Sequence, residues 1–335
     1  MIIDFQHHFT PRELIKQDPG DRLILHYDAL GAPSYTVHSL LYDLDEHVRM
    51  MDEAGIDAAW LTSAAGMCAD LETSRLVNDK ASKAERDYPG RFIGAAHAHP
   101  LGGAAAFKEL ARCRHALGFQ GVTICSEFDG KWIDDPALEP FWTEVCKLDM
   151  FVFVHPALKL NQAQQFDAYD TARAVGREFS LIMAAIRLVC SGLFDRHPQL
   201  TVHMAHLAGG IAAMLARIRS YQDKVFWGTA GNPYHGAKAE KDFDYYIQNN
   251  LVFDTAGFAG GIGAVKAGLC EIPASRMVFA TDYPQEIRKR EAVRDYVQEI
   301  RALGPDGERI LCGNVGLLLK KPPAAERKRI QERMR

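Results

Sequence analysis

Met1-Ile2-Ile3-Asp4-Phe5-Gln6-His7-His8-Phe9 opens the chain, and the fold turns on how this stretch is read. Three apolar residues run straight into a polar cluster, the pattern of a buried strand whose end reaches the edge of a core. Side chains at i, i+2 and i+4 of a strand share a face. Strict alternation therefore groups Asp4, Gln6 and His8 on one face, and Ile3, Phe5 and His7 on the other. A metal needs donors that converge, and two of them spaced by two on one strand meet that need. Paired histidines near an N-terminus are more often surface residues. The stretch gains meaning from the strand ends that follow it.

Seven further short apolar runs read as strands: 58–62, 92–99, 121–125, 150–156, 200–206, 251–255 and 277–282. Helical spacing separates most of them, over about 44–54, 71–87, 103–117, 136–148, 172–194, 211–224, 286–302 and 314–320. Strands alternating with helices predict a parallel sheet, and eight is the number that closes a (β/α)8 barrel. The alternative is an open doubly wound sheet. It lacks support, because no Gly-rich dinucleotide fingerprint follows the first strand. The expected organisation is one α/β barrel domain over 1–320, with an inserted loop segment at about 10–42 and a charged C-terminal tail at 321–335. Loops as long as 10–42 and 157–170 usually border a site. Barrel enzymes carry their chemistry at the C-terminal ends of the strands. Here those ends hold Gln6, His8, His97, His99, His155, His206, Asp254 and Asp282, where a purely structural account expects apolar residues and turn formers.

Composition narrows the function. The 335 residues are 47% hydrophobic and 24% charged, a globular balance. A net charge of −4 offers no basic footprint for nucleic acid. No apolar run has the length of a membrane span, and the N-terminal stretch lacks the regions of a signal peptide. Seven scattered cysteines with no CxxC pair read as reduced thiols of a cytoplasmic protein.

Six segments together point to a family. They are Ile3-Asp4-Phe5-Gln6-His7-His8, Phe153-Val154-His155-Pro156, Ser191-Gly192-Leu193-Phe194-Asp195-Arg196-His197-Pro198, Ala205-His206-Leu207-Ala208-Gly209-Gly210, Thr281-Asp282-Tyr283-Pro284 and Gly313-Asn314. In this order the chain resembles the amidohydrolase superfamily. The resemblance is to the branch that contains aminocarboxymuconate-semialdehyde decarboxylase and the γ-resorcylate and carboxyvanillate decarboxylases. It implies one divalent metal ion, Zn2+ or Mn2+, held by Gln6, His8, His155 and Asp282. It also implies catalytic roles for His206 and Asp282, a small carboxylate substrate and a homo-oligomer, often a homodimer. The reaction it implies first is non-oxidative decarboxylation of an aromatic or dienoic acid. Metal-dependent hydrolysis of a C–N, ester or C–C bond, or hydration of a double bond, uses the same scaffold.

Two departures stand out. The family has His or Glu where this chain has Gln6, a neutral and weaker donor, so Asp282 would be the one anionic ligand. His99 is a candidate to compensate. The departure also raises the alternative of a non-catalytic or supporting subunit. Near His38 the semialdehyde decarboxylase has an Arg that grips the substrate, whereas this chain has no Arg between Arg22 and Arg49. His38, His99 and Asp254, the last at the end of strand seven, are carried as possible substrate-binding or supporting residues. The spacing of His97 and His99 suits a metal, but packing is the expected role of His97 and of His203. His26, His47, His115, His197 and His235 belong to no constellation and read as surface positions.

Overall fold

Eight parallel strands follow one another around the molecule in chain order. They are β1 (Ile3–His8), β2 (Ala58–Thr62), β3 (Phe92–Gly94, resumed at Ala96–His97), β4 (Gly121–Cys125), β5 (Phe151–His155), β6 (Val202–Met204), β7 (Leu251–Asp254) and β8 (Met277–Val278). The structure is a computed structural model that describes residues 1–27, 33–128, 130–160, 166, 168–231 and 238–321. The ring closes where Phe5 N donates to Phe279 O at 3.0 Å, Asp282 N to Gln6 O at 3.0 Å and His8 N to Tyr283 O at 2.7 Å. This is the expected (β/α)8 barrel.

β3 changes partners midway: its first half pairs with β2 and its second with β4. Gly94 sits at the break, where an added Cβ would lie 2.1 Å from the Phe119 ring. The barrel interior is filled in layers. Phe153 of β5 packs at 4.5 Å from the His203 ring of β6 and at 5.3 Å from Trp60 of β2. His155, two residues past Phe153 on the same face, emerges at the mouth.

Local chemistry sets the helix ends. Asp43 accepts from Glu46 N to start Leu44–Ala54, and Gly55 stops it in the left-handed region at φ 73°. Asp70 and Asp242 cap Leu71–Asp87 and Phe243–Asn249 in the same way. Among the described residues no helix is long and apolar enough to cross a membrane.

Several expectations change. β1 does not alternate strictly: its pairing with β2 shifts register between Asp4 and His7. The shift places Asp4 beside His7, at 2.8 Å, instead of beside Gln6 and His8. The segment at 10–42 contains a hairpin of Ile24–Tyr27 against Pro33–Val37. Its strands are short, so the Pro and Gly residues around them hid the pattern. The helix expected at 172–194 is a wide turn (Ala172–Gly176), a helix (Arg177–Cys190) and a short Leu193–Arg196 segment after Gly192 at φ 71°. The helix expected at 314–320 is a single tight turn, Val315–Leu317. Phe243–Asn249 and Ile262–Leu269 are additional helices. His47, read as a surface residue, is fully buried, because the facing His7 side chain and Leu40 O take its two nitrogens. His197 is also largely buried, against Glu139. His235 and residues 322–335 of the expected tail lie outside the described residues.

Glu85, on the helix Leu71–Asp87, accepts from Gly94 N at 2.6 Å. Burial raises its pKa from the ordinary 4.5 to about 7, against the opposing effect of that hydrogen bond. Between those values the folded chain holds a proton that the unfolded chain has released, so stability falls as pH rises through the window. Glu85→Gln keeps an acceptor for Gly94 and removes the titration. Urea denaturation at pH 5 and pH 8 is expected to show the variant losing about 1–2 kcal/mol less than the parent across that interval, after discount for partial exposure.

Candidate active site

Three strand ends bring His8, His155 and Asp282 together. One ligand atom from each lies within 4.8 Å of the others, and all three residues are buried. His8 Nε2 is 2.7 Å from Asp282 Oδ1, yet neither atom has a hydrogen bond of acceptable direction. Both atoms are thus buried with their lone pairs unclaimed by a hydrogen bond. His155 is oriented by its other nitrogen: Nδ1–H donates to Pro156 O at 2.8 Å, which leaves Nε2 as the free donor atom. That is the usual outer support of a metal-binding imidazole.

Gln6 joins this group. Its amide oxygen is buried without a partner, while its amide nitrogen is 3.0 Å from His206 Nε2. His206 Nδ1 is 2.9 Å from Glu178 Oε1. With a neutral ring, Nδ1–H donates to Glu178, Nε2 accepts from the Gln6 amide, and the Gln6 oxygen is left for the centre. With a charged ring, Nε2–H would need that same oxygen. The charge on His206 and the orientation of Gln6 are thus coupled.

Electrostatics sharpen the contrast between the groups. Burial alone would raise the pKa of Asp282, but the charge and contact of His8, with His206 and His155 nearby, bring it down to about 2. Burial lowers the pKa of His155 far below its ordinary range, with His8 adding to the effect. Burial also disfavours charge on His206, yet Glu178, by charge and hydrogen bond, with Asp282 and Asp254, raises its pKa to about 10. The neighbours outweigh desolvation at Asp282 and His206 and fail to do so at His155.

Asp254 supports the site from beneath. It accepts from His206 N at 2.8 Å, His203 Nε2 at 2.8 Å and Ala256 N at 3.1 Å. His206 has φ 55°, and the next two non-glycine residues share the left-handed region. Gly257 faces the ring so closely that a Cβ there would lie 2.1 Å from His206 Cγ.

The remaining predicted residues fall elsewhere. His99 lines a separate cavity with Ala69, Asp70 and Leu71 and is neither in the group of His8, His155 and Asp282 nor in the lining of their cavity. β3 breaks at Ala95, and His99 lies past its last paired residue. His97 is structural: Nδ1–H donates to Ala95 O and Nε2 accepts from Ser63 N. His38 is buried next to the site without lining it, and burial, with the Arg288 charge, brings its pKa to about 4.

The cavity above His8, His155, His206 and Asp282 has a volume of about 300 Å³. Its walls include residues that the sequence reading missed: Tyr35, Arg173, Arg177, Glu178 and Arg288. Arg173 and Arg177 are four apart at the start of a helix, so they share a face. That spacing, directly after the long 157–170 segment, was the available signal. Arg288 comes from a loop, where no periodicity marks a residue, and Tyr35 from the short hairpin strand Pro33–Val37 that the sequence reading took as loop.

A barrel with two imidazoles and a carboxylate converging at its mouth is the architecture of a mononuclear metal-dependent enzyme. The family model described as amidohydrolase matches residues 3–330, and the chain belongs to this family. It is 31% identical over 265 residues to a γ-resorcylate decarboxylase of Rhizobium sp. (strain MTP-10005), covering 74% of this chain and 79% of the relative. It is 28% identical over 189 residues to a 2-amino-3-carboxymuconate-6-semialdehyde decarboxylase of Dictyostelium discoideum, covering 54% and 52%. Among solved structures it resembles a 2,6-dihydroxybenzoate decarboxylase from Rhizobium, at TM-score 0.77 and 26% identity over 95% of this chain and 98% of the other. A dihydroxybenzoic acid decarboxylase from Polaromonas sp. JS666, described with bound manganese and the inhibitor 2-nitroresorcinol, matches at TM-score 0.77 and 25% identity, covering 95% and 96%.

Asp254→Ala strands the His203 and His206 donors in the core. Denaturant titration is expected to show a loss of about 3–5 kcal/mol. A loss below about 1 kcal/mol would mean that Asp254 does not anchor the two histidines.

Proposed function

We propose that the protein is a metal-dependent, non-oxidative decarboxylase of a small aromatic or dienoic carboxylate. The observation that carries this reading is the convergence of His8, His155 and Asp282 within 4.8 Å, at the base of a cavity that arginines also line. The donor set fits a divalent ion such as manganese or zinc: two imidazoles, one carboxylate and the orphaned Gln6 oxygen. A bound cation supplies a Lewis acid that draws charge from a substrate oxygen beside the carboxylate to be lost.

The chain's own residues do the rest. Arg177 stands at the wall near Asp282, as its electrostatic neighbours show, and orients the anionic substrate. The carbon that loses CO2 must gain a proton. His206 and Asp282 both line the cavity, with His206 Nε2 3.7 Å from Asp282 Oδ2; the proton is delivered from His206 Nε2 while that ring is charged, and the Gln6 oxygen is free for the metal once the ring is neutral. Glu178 keeps the His206 ring supplied with a compensating charge through Nδ1. The walls shield the developing carbanion from bulk water.

His155→Ala is expected to lose bound metal and turnover together, as read by metal analysis and CO2 release. His206→Asn is expected to keep metal and lose about 10²–10⁴-fold in kcat. A His155→Ala protein with full metal content removes His155 from the ligand set. Product formed with CO2 and without solvent oxygen supports the lyase; incorporation of 18O from labelled water returns the hydrolase.

Gln6 has its own test. If its oxygen binds metal, Gln6→Glu tightens metal binding by adding a charge, and Gln6→Ala weakens it. Titration of manganese into the three apoproteins, followed by calorimetry, separates the cases; three equal affinities place Gln6 off the metal.

A further inference from the structure

The strands Ile24–Tyr27 and Pro33–Val37 form a two-stranded sheet of their own, separate from the barrel. Yet Tyr35 and Thr36, on the second of them, line the cavity that holds His8, His155, His206 and Asp282. Another wall is Arg173, Ala174 and Arg177, from the wide turn Ala172–Gly176 and the start of the helix after it. A piece of chain outside the barrel therefore forms one side of the mouth of the site.

Its attachment is uneven. At the root, Val37, His38 and Leu41 are buried, and Thr10 N donates to Leu41 O at 2.8 Å. Farther out, Ile24 and Leu25 are half-buried, and His26 and Tyr27 are exposed. The Tyr35 ring takes its orientation from within the hairpin, stacked on the His26 ring at 4.9 Å with 5° between the planes. Two strands with so little burial are marginally stable unless something ties them down. Gln285 supplies the tie: its Nε2 donates to Thr36 O at 3.0 Å. Among the described residues it is the one side-chain hydrogen bond from these strands to the rest of the chain. Gln285 also sits in the turn that carries Asp282, since Gln285 N donates to Asp282 O at 2.8 Å.

We infer that the two strands are a lid over the site, hinged at Val37 and His38, and that Gln285 is the positioning residue that holds it shut. His38 suits the hinge: it is an extended residue between the strand and the turn Ser39–Leu41. Opening breaks the Gln285–Thr36 bond and carries Tyr35 and Thr36 away from the cavity, while the buried root stays in place. Closing restores that wall and keeps bulk water from His206 and Asp282. The lid is independent of the reaction. Its use as a gate for the metal rests on the reading of His8, His155 and Asp282 as ligands.

Hydrogen exchange of the full metal-free chain, resolved by mass spectrometry, tests the lid. Peptides from the two strands are expected to exchange through a local opening, at urea concentrations that leave β5 and β6 protected. Gln285→Ala removes one neutral hydrogen bond, so exchange in the hairpin is expected to rise about two- to tenfold with β5 and β6 unchanged. Gln285→Glu puts an acceptor in place of the donor and is expected to do at least as much. Manganese-loaded protein is then challenged with EDTA. Release of the ion is expected to quicken by the same factor in Gln285→Ala with its equilibrium affinity unchanged, because the tie acts equally in loaded and empty protein. Hairpin amides as protected as those of β5, or exchange in Gln285→Ala that is unchanged or raised everywhere, overturn the lid. Release at the parent's rate, or faster release with weakened affinity, overturns its role as a gate. Faster hairpin exchange in a protein that takes up no manganese keeps the lid and discards the metal-dependent reading.

Discussion

Asp4 accepts from Thr281 N at 3.0 Å and from Thr281 Oγ1 at 2.5 Å, and so joins the first barrel strand to the last. The same carboxylate meets His7 Nδ1 at 2.8 Å, and His7 Nε2 continues to His47 at 3.0 Å. His47 in turn donates to Leu40 O. All four polar side chains of this chain are buried, so every member depends on its neighbours for satisfaction. The seam matters because Gln6 and His8 stand on one side of it and Asp282 on the other. Without closure the donors proposed for the metal would never meet.

Burial gives the site its chemistry. A charged group deprived of water needs a partner, and the partners here are arranged unequally. His8 sits against Asp282 and favours its ionised form. Glu178 stands behind His206 and favours its charged form. His155 has a backbone carbonyl behind it in place of a carboxylate and stays neutral, as a metal ligand must. One cavity thus holds an anion, a proton carrier and a neutral donor, each set by what lies behind it.

Strain is concentrated in the same place. His206 and Asp282 both adopt left-handed backbone conformations, which are unfavourable for residues with a Cβ. Their surroundings hold them there. Asp254 grips His206 N, Gly257 makes room for its ring, and Asp282 N is tied to Gln6 O across the seam. These conformations aim both side chains at the cavity when a regular strand would continue past it.

The barrel was legible because short apolar runs and helical spacing are local signals. Gln6, His8, His155, His206 and Asp282 were legible as candidates because polar residues at apolar strand ends break a local pattern, and the structure brings them to one place. Alternation failed at Asp4 because a register shift depends on the partner strand and not on the strand's own residues. His47 and His99 were misplaced for a related reason: a histidine's surroundings are set by what packs over it from distant segments. Arg177, Glu178 and Arg288 remained invisible as site residues, because charged side chains on a helix start or a loop look the same facing solvent or facing a cavity. Sequence by itself determined the order of strands and which of them end in donors. Tertiary structure alone decided which donors converge and what charge each can hold, since both depend on distances between residues far apart in the chain and on how much water is excluded from them.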